Sequence, residues 1–189
     1  MLESYALVTV DNAKDFLGIT NGDSDSLLEM LINQMTDYIE TYCDRRFITT
    51  TYTDVEYDGT GTYELQLEQY PVITFTQLEV NNAVDNTDSW SDVDTDDYWV
   101  DNDNGIITKT SLFASGKCRY RVTYEGGYAS IPHDLQFACL VLVSEFFNKR
   151  KAMGVKSETL GDHSIQFEGI MRENKTIQTI LANYRTITI

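Results

Sequence analysis

The sequence is short of the residues that would pin a chain together from outside. Its three cysteines, Cys43, Cys118 and Cys139, are an odd number, and none falls in a C-x-x-C pair, which argues against a disulfide framework and against structural zinc. No stretch approaches the roughly 20 apolar residues of a membrane span. The opening residues, MLESYALVTVDNAKDF, have neither a basic leader nor a cleavable apolar core, so the expectation is no signal peptide and synthesis inside the cell. Prolines number two and histidines two, and basic residues are scarce, fourteen against thirty acids. The resulting net charge of −16 argues against phosphate-backbone binding as the main task, because counterion release favours binding only where cations meet phosphates.

What is present is a foldable composition. Hydrophobic residues make up 42% and aromatics 12%, with twelve tyrosines, which excludes a disordered chain. A chain of 189 residues is long enough for one domain, or one domain carrying an insertion, and buries roughly 70% of its unfolded surface. The charge is uneven. Residues 145–185 hold seven bases (Lys149, Arg150, Lys151, Lys156, Arg172, Lys175 and Arg185) against five acids, whereas residues 1–144 carry a net −18.

Hydrophobic periodicity divides the chain. Ala13, Phe16 and Leu17 follow a capping Thr9 or Asp11 and precede Gly18, the pattern of a short helix. Ser26 and Glu29 have capping-box spacing, and Leu28, Leu31, Ile32, Met35, Ile39, Tyr42 and Cys43 form one stripe, predicting a long helix near 26–44 with Arg45 and Arg46 at its C-terminal end. The period then becomes two. Tyr52, Val55 and Tyr57 alternate, DGTG reads as a hairpin turn, and Tyr63, Leu65 and Leu67 return, followed by Ile73, Phe75, Leu78 and Val80. Further strands are expected at 98–100, 105–110 and 118–128. After Pro132 the apolar run Phe137 to Val143 predicts a helix near 132–150 buried on more than one side. Beyond it come a glycine-bounded loop, GVKSETLGDHSIQF at 154–167 with a short strand at HSIQF, a last helix across NKTIQTILANYR and an extended TITI. The fold class is therefore α+β: a helical core from residues 1–47 and 127–189, including a C-terminal extension, and an antiparallel β insertion over 48–126. No tandem repeat is visible.

Several motifs invite a chemical reading, and each falls short. Ser157 or Ser164 would need His163 within hydrogen-bond reach, yet neighbours such as His163 and Ser164 point apart on a strand, and no G-x-S-x-G elbow exists. Asp92, Asp94 and Asp96 have calcium-loop spacing, but Asp97 stands where the EF-hand turn needs glycine and Asp103 where it needs glutamate. A solvated acidic loop is the plainer reading. His133 with Asp134, and His163 with Asp162, would share a metal only if the fold joined them. YDGTGTYEL lacks the following helix and lysine of a phosphate cradle.

The order VDNAKDFLGI, LLEMLINQMTDYIETYCDRRF, YDGTG, YPV, VTYEGGYASIPHDLQFACLVLV and GVKSETLGDHSIQF, spanning roughly residues 8–167, resembles the head-tail connector family of tailed bacteriophages, also called adaptor or head-completion proteins. The resemblance implies a structural virion protein with no catalytic, cofactor or metal site. It implies a dodecameric ring beneath the portal, genomic DNA crossing its lumen without sequence-specific binding, and a stopper or tail-completion protein attached below. Assembly would take place in the bacterial cytoplasm, with no membrane contact.

On that reading the 154–167 loop is a contact element, with Val155 and Leu160 as anchors and Lys156, Glu158 and Asp162 as polar contacts. The C-terminal Tyr184, Arg185, Ile187 and Ile189 would dock on the portal, against the alternative of a frayed end. Two other classes stay open: a phage-encoded metal-dependent hydrolase using His163, and a calcium- or carbohydrate-binding β module with Trp90, Tyr98 and Trp99 as an aromatic platform.

Overall fold

The computed structural model describes residues 1–83, 89–153 and 174–186, without the side chains of 150–153. Within these, four helices and seven strands give an α+β fold in two compact units: residues 1–47 with 131–153 and 174–186, and residues 48–83 with 89–130. The expected strand at HSIQF and the extended TITI beyond residue 186 lie outside the described residues.

The helical unit begins with α1, Val10–Leu17. Thr9 and Asn12 close a capping box at its start, the Asn12 amide donating to Thr9 Oγ1 (3.1 Å) and the Thr9 amide to Asn12 Oδ1 (3.2 Å). Gly18, at φ 69°, takes the left-handed conformation that ends it. Helix α2, Asp25–Cys43, buries the predicted stripe of Leu28, Leu31, Ile32, Met35, Ile39 and Cys43. The box expected from Ser26 and Glu29 does not form: Ser24 is the N-cap and caps through no side-chain bond, while Ser26 already lies inside the helix. Asp25 is instead held by Lys14 of α1 at 3.0 Å.

Helix α3, His133–Met153, buries Leu135, Ala138, Cys139, Leu142, Val143, Phe146 and Phe147. These sit at i, i+3, i+4, i+7, i+8, i+11 and i+12, so one broad stripe enters the core. The apolar run predicted burial on more than one side, and here the structure differs. Phe137 is 44% exposed, and Leu140 and Val141 are half-buried. Helix α4, Lys175–Ala182, is capped by Asn174, whose Oδ1 accepts the Ile177 amide (3.3 Å), and it buries Ile177 and Leu181. Helix α3 packs on each of the other three helices.

In the β unit, β1 (Thr50–Gly59), β3 (Val72–Asn81), β4 (Trp90–Asp92) and β7 (Gly116–Gly126) form one antiparallel sheet in the order β1-β7-β3-β4. Strands β2 (Glu64–Gln66), β5 (Tyr98–Asp101) and β6 (Ile106–Lys109) form another, β2-β6-β5. DGTG is thus not a hairpin turn. β1 pairs with β7 and β2 with β6, so the chain crosses there from one sheet to the other. The cause is burial: Tyr57 and Leu65 each belong to an alternating strand with one apolar side, and facing sheets bury both sides in one core with Val72, Leu78, Ile107 and Phe113.

Strand β7 organises that core. Cross-strand rows run Tyr57–Tyr120–Val80, Val55–Val122–Leu78 and Tyr52–Tyr124–Phe75. Buried tyrosine hydroxyls find partners: the Tyr57 and Tyr124 hydroxyls lie 3.3 Å apart, and Tyr120 accepts the Ala114 amide at 2.8 Å. The opposite face is polar, with Arg121 forked onto Glu79 (2.7 Å from Nη2) and its guanidinium 4.7 Å from the Trp90 ring.

Two glycines separate backbone strain from collision. At Gly18 a Cβ would meet nothing within 4 Å, whereas at Gly59 it would stand 1.7 Å from the Ala114 carbonyl oxygen. Gly18→Ala is expected to cost about 1 kcal/mol from the left-handed conformation alone. Gly59→Ala is expected to cost more than about 2 kcal/mol, since backbone must move. Urea unfolding of both variants checks the order.

Candidate functional site

Of the residues expected to make contacts, Val155, Lys156, Glu158, Leu160, Asp162, Ile187 and Ile189 lie outside the described residues, as does His163. Tyr184 and Arg185 are described, and the structure places both against the end of α2. The Tyr184 hydroxyl donates to Asp134 Oδ1 at 2.6 Å, and its ring meets Phe47 edge-on with centroids 5.9 Å apart. The Arg185 guanidinium lies 5.5 Å from the Tyr42 ring centroid.

Thr186 completes the tie. Its amide donates to the Cys43 carbonyl (3.0 Å), and its hydroxyl donates to the Asp44 carbonyl (2.8 Å). Helix C-termini leave carbonyls without intrahelical partners. Part of that need in α2 is met by Asp44, which at φ 54° turns the chain so that the Arg45 amide donates to Glu40 O (3.1 Å). The Cys43 and Asp44 carbonyls are met by a residue at least 142 positions further on. Helix α4 adds burial through Ile177 and Leu181, and the Cys43 thiol points to the Leu181 carbonyl at 3.6 Å.

One participant is weighed in the sequence for another task, and one is not singled out there. Asp134 reads only as a metal ligand beside His133, and nothing local announces a partner fifty positions away. Glu40 is 9% exposed near the end of α2. It accepts the Phe47 amide (3.4 Å) and pairs with Arg46 at 3.6 Å. Burial nonetheless holds its carboxyl above the ordinary 4.5, against the opposing pull of Arg46 and the Phe47 amide. A signal existed: Glu40 follows Thr36 by four on the buried side of α2, an unusual place for an acid.

The other motifs resolve into local structure. Asp92 accepts from Gln77 Nε2 (2.6 Å), Asp94 caps the 3-10 turn Thr95–Asp97 through the Asp96 amide (3.0 Å), and Asp97 takes the Thr110 hydroxyl (3.3 Å). Asp101 caps the following turn, and its bond from the Asn104 side chain, first among several, holds its carboxyl below the usual range. Among the described residues no group of three metal-ligating side chains gathers. Trp90, Tyr98 and Trp99 make no common platform. Trp90 stacks with Arg121 in the four-stranded sheet; Tyr98 turns inward to Phe75 (5.7 Å), and Trp99 outward at 58% exposure in the three-stranded one.

No thiol is set up as a nucleophile. Burial pushes Cys43 and Cys139 up to about 12, and a hydrogen bond with Glu56 raises the exposed Cys118.

A family model described as "Head completion protein" matches residues 6–187. No curated protein matches the sequence. Among solved structures, a chain from "Neck of empty GTA particle computed with C6 symmetry" is 18% identical with a TM-score of 0.55, over 97% of this chain and 91% of that one. A chain from "Virion of native gene transfer agent (GTA) particle" is 16% identical with a TM-score of 0.56, over 97% and 91%. A third, from "Neck of native GTA particle computed with C12 symmetry", is 16% identical with a TM-score of 0.53, over 95% and 89%. At such identities the likeness is one of fold.

Tyr184→Phe removes the hydrogen bond to Asp134 and should lower stability by about 1 kcal/mol. Deleting residues 184–189 also removes the Thr186 tie and the ring contact with Phe47, and should lower it severalfold further, as read by urea unfolding. Glu40 gives a pH signature. A carboxyl whose folded pKa is raised penalises the fold when ionised, and the penalty lifts as pH falls towards the ordinary 4.5. The stability of the native chain relative to Glu40→Gln should therefore improve between about pH 7 and about pH 5.

Proposed function

The chain belongs to the head completion protein family, and from that premise we propose that copies of it form a ring where the head of a phage-like particle meets its tail. The family is a structural one of the virion, and the role is architectural at the head-tail interface. A portal lies on one side of the ring, a stopper or tail-completion protein on the other, and genomic DNA crosses the lumen without sequence-specific contact. Twelve copies fit the symmetries named for the neck structures of similar fold, since a C12 ring also obeys C6.

The observation that carries this reading is the family match over nearly the whole chain, 6–187, helices and β unit together. Composition agrees with it. A net charge of −16 suits a passage that must not grip DNA. The thiols are held protonated by burial or by a neighbouring carboxylate, and the aspartates of the acidic turn are engaged by backbone and side-chain donors, which suits assembly better than turnover. Val155, Lys156, Glu158, Leu160 and Asp162 make contacts with neighbours in this reading. Tyr184 and Arg185, fastened to α2 and α3, fix the point from which Ile187 and Ile189 reach the portal.

Electron microscopy of the purified chain, alone and mixed with portal-bearing heads, tests the reading. The expected outcome is a ring seated under the portal in the mixture. A chain that stays a monomer in both samples overturns it.

A further inference from the structure

We infer that the outward side of α3, with Phe16 of α1 beside it, is where a second copy of this chain packs in the ring; this rests on the ring reading above. The surface is unusual for so charged a molecule. From Leu135 to Ser144 helix α3 carries no charged residue. One side of that stretch is core, and on the other Phe137, Leu140, Val141 and Ser144 follow at i, i+3, i+4 and i+7 and are exposed or half-buried. Phe137 and Phe16 are each 44% exposed and meet edge-on with centroids 6.3 Å apart, so the two rings support one another and leave a rigid apolar ridge.

The ridge is also dry in its hydrogen bonding. The Ser144 hydroxyl donates to the Val141 carbonyl (2.8 Å), so covering it strands no hydroxyl donor, and beside the ridge the Gln136 amide group has one N–H on the Ile131 carbonyl (2.8 Å). Charges frame it at either end: Asp134, engaged by Tyr184, and Glu145, paired with Lys149 at 3.6 Å. An apolar centre with a polar rim is the make-up of a protein contact.

Charge selects the occupant. Residues 48–130 hold fifteen acids against four bases, and each copy carries −16, so two copies repel wherever their acidic surfaces approach. A basic partner would be drawn to those acids. A copy of the same chain needs an uncharged place to meet, and the α3 ridge is such a place. Because a ring contact is head-to-tail, the ridge of one copy faces a different surface of the next.

Photo-crosslinking tests this, with p-benzoylphenylalanine at position 137 of the full chain, irradiated as the concentrated protein and as assembled on portal-bearing heads. The ring itself is scored separately with unmodified protein by electron microscopy. The expected result is a covalent dimer of the chain joined through position 137, and at least a tenfold loss of rings for Phe137→Glu. Rings that form while position 137 links only within its own chain, only to portal, or to nothing overturn the ridge as the contact and leave the ring reading standing. Neither rings nor a covalent dimer in any sample overturns both.

Discussion

Burial of one stripe of α3 is the constraint on which the helical unit depends. Helices α1, α2 and α4 all pack against this helix, and its Leu135, Ala138, Cys139, Leu142, Val143, Phe146 and Phe147 are the surface they share. Each large side chain in such a stripe stabilises the fold by roughly 1.5–3 kcal/mol relative to exposure. The contribution exceeds any of the caps or ion pairs around it. The polar ties act differently: they settle which arrangement of apolar surfaces is adopted. Lys14 to Asp25 joins α1 to α2, and Thr186 joins the end of the described chain to the end of α2. Thr36, wholly buried on α2, is one such tie inside the core, taking the Leu7 amide at 3.2 Å and so fixing the segment before α1.

In the β unit the same division holds between burial and specification. Alternation along β7 puts Tyr120, Val122 and Tyr124 in the core and Arg121 and Thr123 on the other face. The tyrosines then specify: a phenylalanine would fill the space, but the Tyr57 and Tyr124 hydroxyls also receive the Glu68 and Gln69 amides at 3.4 and 3.3 Å. The chain between β2 and β3 is thereby held over the sheet, which a purely apolar core would not require. On the outer face Arg121 lies in register between Glu56 and Glu79 and bonds to Glu79, so one cation quiets a row of like charges that would otherwise oppose across strands.

How much of this was legible follows from distance along the chain. Helix α2 was readable because its stripe and its stop are local, and α1 because Thr9 and Gly18 each act within four residues of the helix they bound, although the Asn12 half of its capping box was not read. The start of α2 was misread at Ser26 because the real cap, Ser24, makes no side-chain bond and leaves no pattern. Period two showed which residues of β1 are buried but not which strand lies beside them. A hairpin at DGTG is the shortest closure, and the pairing of Tyr57 with Tyr120 spans more than sixty residues. Strand β4, three residues beside an aspartate-rich turn, carries too little alternation to be seen. The Tyr184 and Asp134 contact has no sequence signature, since neither residue departs from what its own neighbourhood allows.

Among the described residues, the polar groups of the sequence motifs are engaged by backbone and side-chain partners within the chain. Asp94 and Asp101 cap turns, Thr186 covers the carbonyls of α2, and Asp58 takes the Cys118 amide at 2.9 Å beside its pair with Lys117. A catalytic group has to be held by a supporting shell yet left free towards a substrate, with its protonation poised near the working pH. Among the described residues the large displacements run the other way, with burial pushing two thiols, and the Tyr124 hydroxyl further still, into the protonated form. The surface is asymmetric: a β unit crowded with carboxylates and, on α3, a stretch from Leu135 to Ser144 with no charged residue. On the proposed ring reading, a molecule that recognises copies of itself while repelling them through its acidic surface gains specificity from that contrast, because close approach is tolerable where charge is absent.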